Sequence, residues 1–260
     1  MDLNLRGRTA LITGASKGIG LASAEVLAEE GCNVILVSRT KADLDAGRSK
    51  ILSRFNVGVT VHALDLSNSA SIDKLAAQHG DIDILVNNAG AIPPGNLQEI
   101  GEARWREAWD LKVFGYINMC RAFYATFAAR RQGVIINVVG TGGEKVDSAY
   151  IAGAAGNASL MAFTRALGGS ASNDNLRVVG INPGPVATDR LVTMMKKMAQ
   201  DRLGDSGRWE ELTKPMPYGR AATAEEIANM VAFLASDRSA YTSGTVITID
   251  GGAVNRTSVF

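Results

Sequence analysis

The chain has 260 residues, with 27 Lys and Arg, 26 Asp and Glu, two His and two Cys. A net charge of +1 gives no general attraction to nucleic acid or to an anionic membrane, and a hydrophobic content of 46% excludes a disordered chain. Two cysteines cannot form a disulfide framework, and no cluster of His, Cys and Asp has the spacing of metal ligands, so we expect no bound metal. The 28 glycines are about 11% of the residues, where about 7% is usual, and this excess requires an explanation.

The amino-terminal segment MDLNLRGRTALITG has no long apolar core after a basic start and no small-residue cleavage site. No run in the chain approaches the roughly 18 consecutive apolar residues that span a bilayer. Cys32 lies at the start of a strand pattern and Cys120 lies in a helical pattern, which is typical of buried structural thiols. The sequence therefore predicts a cytoplasmic protein with reduced cysteines and without membrane contact.

Short apolar runs alternate with helical patterns along the whole chain. The predicted strands are Thr9–Thr13, Asn33–Ser38, Gly58–Leu64, Ile82–Asn87, Gly133–Val139, Arg177–Asn182 and Thr245–Asp250. The predicted helices lie near 18–30, 40–55, 68–79, 102–130, 151–173 and 223–236. Continuous apolar strands such as VIINVV are typical of a parallel sheet that is buried on both faces. The alternation predicts an α/β fold, a Rossmann-like doubly wound parallel sheet of seven strands with helices on both faces.

No linker, repeat or low-complexity segment divides the chain, so we expect a single domain over residues 1–260. One stretch, residues 187–222, reads as irregular and is too long for a simple connection. Met194, Met195 and Met198 give it an amphipathic character, and methionine packs adaptably against irregular apolar ligands. We interpret the stretch as a substrate lid. Packing of the methionines in the protein core is an equally supported interpretation.

The first predicted strand runs directly into the segment TGASKGIG, residues 13–20. Its glycines permit a tight turn and a close approach of the backbone to a pyrophosphate, which the positive end of the following helix attracts. The position after the first strand of an α/β chain makes this spacing specific. The segment predicts a dinucleotide site.

Two cations lie where the adenine ribose of a dinucleotide is expected. A site for NAD(H) would place Asp or Glu about 20 residues beyond the glycines, on the ribose hydroxyls. That place holds Arg39, and Lys17 lies inside the glycine loop. Because two cations suit an additional 2′-phosphate, NADP(H) is favoured over NAD(H), unless both side chains are only solvated surface cations.

Polar residues follow three further strands of the predicted sheet. Asp65 follows the third strand, Asn87 to Gly90 follow the fourth, and Asn182 to Pro185 follow the sixth, with Thr188 just beyond. Each group by itself also fits a turn, but ligands bind at the carboxyl ends of parallel strands, where all of them meet. The predicted cofactor-binding residues are Gly14, Ser16, Lys17, Gly18, Ile19, Gly20, Arg39, Asp65, Leu66, Asn88, Ala89, Gly90, Pro183, Gly184, Val186 and Thr188.

Together these motifs resemble those of the short-chain dehydrogenase/reductase family. The matching segments are TGASKGIG at 13–20, DL at 65–66, NNAG at 87–90, FTRALG at 163–168, NPGPVATD at 182–189 and SGTVITIDGG at 243–252. The resemblance covers nearly the whole chain. It implies one Rossmann domain, a nicotinamide cofactor, a small-molecule substrate and a homotetramer or homodimer.

The resemblance also implies a catalytic tetrad of Asn, Ser, Tyr and Lys, which this sequence lacks. In the family the tyrosine exchanges the proton, the lysine lowers the pKa of that tyrosine and holds the ribose, the serine orients the substrate oxygen, and the asparagine anchors a water. The register fixed by Trp105, by Asn137–Gly140 and by the FTRAL segment puts other residues at the four positions. These residues are Lys112, Gly140, Gly153 and Asn157.

Tyr150 offers a second register, because it precedes Asn157 by seven positions. Enoyl-thioester reductases of the same superfamily use Tyr-x6-Lys, which this segment resembles locally with Asn in place of Lys. We hypothesise that Lys112 supplies the missing cation from the opposite helix and lowers the pKa of Tyr150, while Asn157 holds the ribose or a water. Thr141 is the hydroxyl nearest to the missing serine and completes the candidate catalytic residues. Alternatively, the glycines around Thr141 widen the pocket or present N–H groups to an oxyanion.

The leading interpretation is an oxidoreductase that uses NADP(H) on a carbonyl, a secondary alcohol or an activated C=C bond of a partly apolar small molecule. The missing tetrad motivates an alternative, a nucleotide-binding protein without turnover that acts as a sensor or partner subunit. Non-redox chemistry such as dehydration is less favoured, because the nucleotide motifs TGASKGIG and NNAG are intact.

Overall fold

The computed structural model describes residues 1–256, so the last four residues of the predicted 1–260 domain lie outside the described part. Seven strands form one sheet: β1 Thr9–Thr13, β2 Asn33–Ser38, β3 Val59–Ala63, β4 Ile84–Asn87, β5 Val134–Val138, β6 Arg177–Pro183 and β7 Val246–Ile249. All neighbouring strands are parallel, in the order β3-β2-β1-β4-β5-β6-β7. The predicted doubly wound parallel sheet is confirmed, with strand ends that differ from the predicted ones by at most two residues.

Helices connect the strands and cover both faces of the sheet. They are α1 Gly18–Glu29, α2 Lys41–Leu52, α3 Ser69–Gln78, α4 Glu102–Trp109, α5 Gly115–Arg130, α6 Ile151–Ala171, α7 Asp189–Leu203 and α8 Ala224–Ala235. In α8 a reciprocal capping box fixes the first turn, since Thr223 Oγ1 accepts from the backbone N–H of Glu226 and the Glu226 carboxylate accepts from that of Thr223.

Alternate residues of each strand pack into two separate cores, because successive side chains of a strand point to opposite faces. In β1, Ala10 and Ile12 pack in the core beneath α1, α2 and α8, whereas Leu11 packs in the core beneath α3 and α5. Phe123 and Phe127 of α5 are fully buried in the second core, where each contributes roughly 1.5–3 kcal/mol by burial. Apolar side chains therefore cover most of both faces, and the buried polar residues Asn87 and Asn137 hydrogen-bond to each other.

The predicted helix at 102–130 is divided by a π-helical turn over Asp110–Phe114. Such turns insert one residue into a helix and are frequent at functional sites. Here the middle of the turn, Lys112 and Val113, is buried. The turn therefore holds a lysine inside the protein, which the apolar periodicity of the segment does not predict.

The prediction that residues 187–222 are irregular is wrong for the first half of the stretch. Asp189–Leu203 forms helix α7, and the short three-ten helices Ser206–Thr213 and Pro217–Gly219 follow it. Met, Lys, Gln and Leu, which dominate α7, all favour helix, but the helix buries only Met195 and Ala199. The segment carries Leu191, Met194, Met195 and Met198 at helical spacing, so its amphipathic pattern is compatible with this helix.

The carboxyl ends of β1 and β4 lie side by side at the point where the strand order reverses. Parallel α/β sheets bind ligands in the crevice at such a point. Elsewhere, Cys32 and Cys120 are buried free thiols as predicted, and burial raises the pKa of each to about 12. Among residues 1–256, no helix is long and apolar enough to cross a membrane, and no group of three or more His, Cys, Asp and Glu could hold a metal ion.

Candidate active site

The glycine loop between β1 and α1 packs tightly against the end of β4. Gly14 has φ +66°, and a Cβ atom there would lie 2.9 Å from Cα of Ala89. A Cβ atom on Gly20 would overlap the carbonyl oxygen of Gly14. Asn88 Nδ2 donates to the carbonyl oxygen of Thr13 at 3.0 Å, which joins the two strand ends. Only glycine fits at positions 14 and 20, where the loop packs closely on the end of β4 before α1 begins.

The two predicted cations lie in different surroundings. Arg39 lines a cavity of about 130 Å³ together with Gly14, Ser38 and Gly90, whereas Lys17 Nζ pairs with Asp43 Oδ2 at 3.2 Å on the surface. Beside this cavity, Ser38 Oγ donates to Ser16 Oγ at 3.0 Å. Arg39 therefore lies on the wall of the smaller cavity, whereas Lys17 forms an ion pair on the surface.

The carboxylate of Asp65 is held by its own loop. Its Oδ1 accepts from the backbone N–H of Ser67 at 3.0 Å and from Ser67 Oγ at 2.8 Å. These hydrogen bonds, chiefly the one from the backbone, and the charge of Arg39 lower the pKa of Asp65. Its neighbour Leu66 lines the smaller cavity.

A larger cavity of about 730 Å³ opens at the carboxyl ends of β4, β5 and β6. It brings together most residues predicted for the nicotinamide end and all four catalytic candidates. The predicted residues on its wall are Ile19, Asn88, Gly90, Lys112, Thr141, Tyr150, Asn157, Pro183, Gly184, Val186 and Thr188. Segments as distant in sequence as residues 19 and 188 therefore meet around one space.

Lys112 enters this cavity from the π-helical turn, and its ammonium group is held by three oxygen atoms. Nζ donates to the carbonyl oxygens of Val138 and Val139 at 3.0 and 3.1 Å and to Tyr116 Oη at 3.1 Å. Its stem packs on Gly90, where a Cβ atom would overlap Cδ of the lysine. Burial, assisted by the positive charge of Arg190, lowers the pKa of Lys112 from 10.5 to about 7.

Tyr150 precedes α6, and its ring lies over the first turn of that helix. A Cβ atom on Gly153 would overlap Cζ of the tyrosine, and one on Gly142 would lie 3.2 Å from the ring. The ring therefore occupies space that the two glycines leave open. Its hydroxyl forms no hydrogen bond with any residue in 1–256 and remains available on the cavity wall.

The hypothesis that Lys112 lowers the pKa of Tyr150 is contradicted by the charges around that hydroxyl. Burial raises the pKa of Tyr150, and the cation that acts against this shift is Arg190. The ammonium group of Lys112 is instead engaged by backbone carbonyls at the end of β5. Its reach is limited because the π-helical turn directs the side chain along the strand end.

Asn157 lies one helical turn beyond Gly153 and faces the glycine segment after β5. Its side chain is 4% exposed, and its Oδ1 atom has no hydrogen-bond donor among the described residues. A Cβ atom on Gly140 would lie 3.1 Å from its Nδ2, and Gly140 has φ +133°, a conformation that strains a residue with a side chain. Thr141 follows directly, at the start of a short three-ten helix.

Two further residues of the site are absent from the predicted set. Tyr116 is fully buried, and its hydroxyl accepts from Lys112 and donates to the carbonyl oxygen of Val138 at 2.8 Å. Arg190 lines the larger cavity from the first turn of α7 and donates to the carbonyl oxygen of Ile92 at 2.8 Å. Arg190 follows the NPGPVATD segment directly, which is a usable signal, whereas nothing local distinguishes Tyr116 from a core tyrosine.

Comparisons with known proteins identify the family. The family model described as enoyl-(acyl carrier protein) reductase matches residues 14–254. The 3-oxoacyl-[acyl-carrier-protein] reductase of Escherichia coli K12 is 32% identical over 254 residues, which cover 96% of this chain and 98% of that protein. A solved structure described as a short chain dehydrogenase/reductase family protein is 31% identical, with a TM-score of 0.85 over 98% of this chain and 100% of its own.

The chain belongs to the short-chain dehydrogenase/reductase family. It is therefore a Rossmann-fold oxidoreductase of that family, as the sequence motifs predict. Another similar structure, the L-sorbose reductase of Gluconobacter frateurii complexed with NADPH and L-sorbose, is 31% identical, with a TM-score of 0.93 over 99% of this chain and 100% of that one. Because the family match runs from residue 14 to residue 254, it includes both the glycine loop and helix α7.

Proposed function

We propose that the protein is an NADP(H)-dependent oxidoreductase with an atypical active site. It acts on a carbonyl or secondary alcohol, or on an activated C=C bond, of a partly apolar small molecule. The observation that carries this proposal is the position of Tyr150, whose ring fills the space beside Gly153 in the same cavity as Lys112 and Asn157. A tyrosine hydroxyl thus stands in the cleft although the family's four catalytic positions hold Lys, Gly, Gly and Asn.

The residues around the two cavities fit a nicotinamide dinucleotide. The glycine loop leads into the start of α1, and its backbone N–H groups would hold the pyrophosphate, while Gly14 and Gly20 let the loop pack closely on the end of β4. Arg39 would hold the 2′-phosphate, and NADPH is present in the similar sorbose reductase structure. The unpartnered Oδ1 of Asn157 would accept a hydrogen bond from a ribose hydroxyl. When bound, NADPH supplies a hydride to the substrate, and NADP⁺ accepts one in the reverse direction.

Tyr150 is the residue of this chain that exchanges the proton with the substrate oxygen. Its hydroxyl has no protein partner within residues 1–256, so its O–H can donate to a ligand. Burial raises the pKa of Tyr150 and so keeps the hydroxyl protonated, while the positive charge of Arg190 lowers this pKa. Tyr150 therefore acts as an acid toward a carbonyl oxygen, and its phenolate acts as a base toward an alcohol.

Lys112 holds the end of β5 and keeps a titratable group in the cleft. Its three hydrogen bonds fix the carbonyl groups of Val138 and Val139 next to Gly140. A pKa of about 7 lets the amine gain and lose a proton near neutral pH, the range in which proton exchange is efficient. Thr141, at the glycine-rich turn, offers the only side-chain hydroxyl of residues 140–143, where the family has its serine.

Helix α7 forms the apolar side of the cleft and is the main part of the proposed lid over residues 187–222. Leu191, Met194 and Met195 line the larger cavity from one face of this helix. Substrates with an apolar part fit this wall. We further propose that residues 1–260 form one domain and that the protein assembles as a homotetramer or homodimer, as the family resemblance implies.

The test measures NADPH oxidation on a panel of ketones, aldehydes and enones, together with NADPH binding. We expect turnover on at least one class, and we expect Tyr150→Phe to lower kcat at least about 100-fold with an unchanged Kd for NADPH. Tyr241→Phe is the matched control, because Tyr241 is fully exposed. Full activity of Tyr150→Phe would show that a group other than Tyr150 exchanges the proton with the substrate.

The alternative, a nucleotide-binding protein without turnover, is favoured by one observation. The Lys112 ammonium is fully engaged by three oxygen atoms, so it does not act on Tyr150 as the family lysine acts on its tyrosine. Tight NADPH binding without oxidation across the whole panel would support this alternative over the enzyme.

A further inference from the structure

The wall of the larger cavity carries two cations without an acidic partner. Lys112 and Arg190 both line it, and neither forms an ion pair within residues 1–256. Asp147 is the acidic residue on the same wall, but its Oδ1 accepts from the backbone N–H of Ala149 at 2.9 Å. The charge that acts on both Tyr150 and Lys112 is that of Arg190. Arg190 is therefore a cation on this wall that forms no ion pair with a carboxylate among the described residues.

Arg190 uses only part of its hydrogen-bonding capacity within the described residues. One N–H of its Nη2 is directed to the carbonyl oxygen of Ile92 at 2.8 Å. A guanidinium group has five N–H donors in a planar fork, so four remain without an acceptor among the described residues. A carboxylate matches two parallel donors of this fork, in a geometry that Lys does not offer.

The surroundings of Arg190 combine this charge with an apolar surface. Leu191, Met194 and Met195 follow it on the same face of α7, and Ile92 lies opposite. A ligand that fills this part of the cavity thus needs an apolar body and an anionic end. Arg190 is an exposed residue at the cavity, so its free donors are open to solvent, and a carboxylate on the ligand would pair with them more strongly than a neutral group would.

We propose that the substrate is a carbonyl compound with a carboxylate, or the corresponding hydroxy acid, and that this carboxylate binds the guanidinium group of Arg190. The apolar part of the substrate packs on Leu191 and Met194. This inference rests on the proposed function, because it names the substrate class of the same cleft. Arg190 is then the residue that determines specificity.

The competing explanation is that Arg190 has a structural role only, because its hydrogen bond to the carbonyl oxygen of Ile92 joins α7 to the segment after β4. In that case the guanidinium group stabilises the lid but contributes nothing to the choice of substrate. The two explanations differ for matched ligands, since a fastening role affects acids and esters equally.

The experiment compares NADPH-dependent reduction of 2-, 4- and 5-oxohexanoate with that of their methyl esters. In the wild type, we expect kcat/KM for the best acid to exceed that for its ester by about 10-fold to 100-fold, the range of a charge-assisted hydrogen bond. In Arg190→Gln this preference disappears, mainly through a higher KM for the acid. Arg190→Lys retains part of it, because charge remains without the fork. Arg202→Gln, an exposed arginine on the same helix, is the control and retains the full preference.

A preference for esters, or an acid preference that survives in Arg190→Gln, overturns the inference and leaves the proposed function intact. If none of these compounds is reduced, the proposed function is decided by the panel of ketones, aldehydes and enones, and the present inference is decided by binding. In that case thermal shifts are measured with NADP⁺ and 2-hydroxyhexanoate or its methyl ester. Stabilisation by the acid alone, lost in Arg190→Gln, supports the anion site, and equal shifts for acid and ester refute it.

Discussion

Replacement of Lys112 by Met removes the buried amine and keeps a side chain of similar length in the π-helical turn. In the wild type, the folded protein binds this proton with a pKa of about 7, whereas an unfolded chain binds it with the ordinary value of 10.5. Below pH 7 both states are protonated, so the cost of the buried charge is fully present. Between pH 7 and pH 10.5 the unfolded state holds more protons, and the wild type therefore becomes more stable as the pH rises.

The size of this effect follows from the two pKa values. One pKa unit corresponds to about 1.4 kcal/mol, so the whole difference amounts to roughly 5 kcal/mol. Because the folded protein is already half deprotonated at pH 7, the change between pH 7 and pH 9 stabilises the wild type by about 2 kcal/mol and leaves Lys112→Met unchanged. The variant also loses the hydrogen bonds to Val138, Val139 and Tyr116. This loss changes its free energy of unfolding by an amount that does not depend on pH.

The assay is urea unfolding of both proteins at several pH values from 6 to 9. The buried thiols and tyrosines titrate in the same way in wild type and variant, so their contribution cancels in the difference. We expect the free energy of unfolding of the wild type to rise relative to Lys112→Met by about 2 kcal/mol from pH 7 to pH 9. Lys197→Met, at an exposed position on α7, gives no such trend. Parallel curves for wild type and Lys112→Met would show that its three oxygen partners keep the ammonium charged throughout, and would refute the neutral amine.

Two further predictions concern the cofactor cation and the tyrosine. Arg39→Ala should weaken the binding of NADPH at least about 10-fold and change the affinity for NADH little, because only NADPH has the 2′-phosphate. Fluorescence titration measures both affinities. Equal losses for NADPH and NADH would exclude a contact between Arg39 and the 2′-phosphate. Gly153→Ala should displace Tyr150, because the new Cβ atom would overlap its ring, and should lower turnover and the melting temperature. Gly169→Ala on the same helix has open space around the new atom and should raise stability by up to about 1 kcal/mol, so an unaffected Gly153→Ala would contradict the described position of the ring.

Much of the fold is predictable from the sequence, because its signals are local. Continuous apolar runs predict strands buried on both faces, and all seven are found in a parallel sheet. The glycine segment after β1 is equally local, since the turn and the close approach to Ala89 depend on missing Cβ atoms. These features predict the Rossmann fold, the family and the nucleotide end of the site.

Local sequence predicts the positions of the cofactor residues better than it predicts the arrangement of the proposed catalytic residues. Residues such as Asn88 and Thr188 follow strand ends directly, and strand ends of a parallel sheet share one edge. The segment Gly140–Gly143 also follows a strand, but the sequence predicts only that it lacks the usual serine. The orientation of Asn157 toward that segment is a result of packing.

The sequence alone predicts which residue types stand in place of the family's tetrad, and only the tertiary structure determines what these residues contact. The direction of Lys112 depends on a π-helical turn, which has no periodic signature, and so the lysine binds carbonyl groups rather than Tyr150. The role of Arg190 depends on helix α7 folding back over the cleft. Residues 112, 150, 157 and 190 are far apart along the chain, and backbone propensity acts only over a few neighbours. Their meeting in one cavity is fixed by the packing of helices on the sheet, which is why the chemistry of the site becomes visible only in three dimensions.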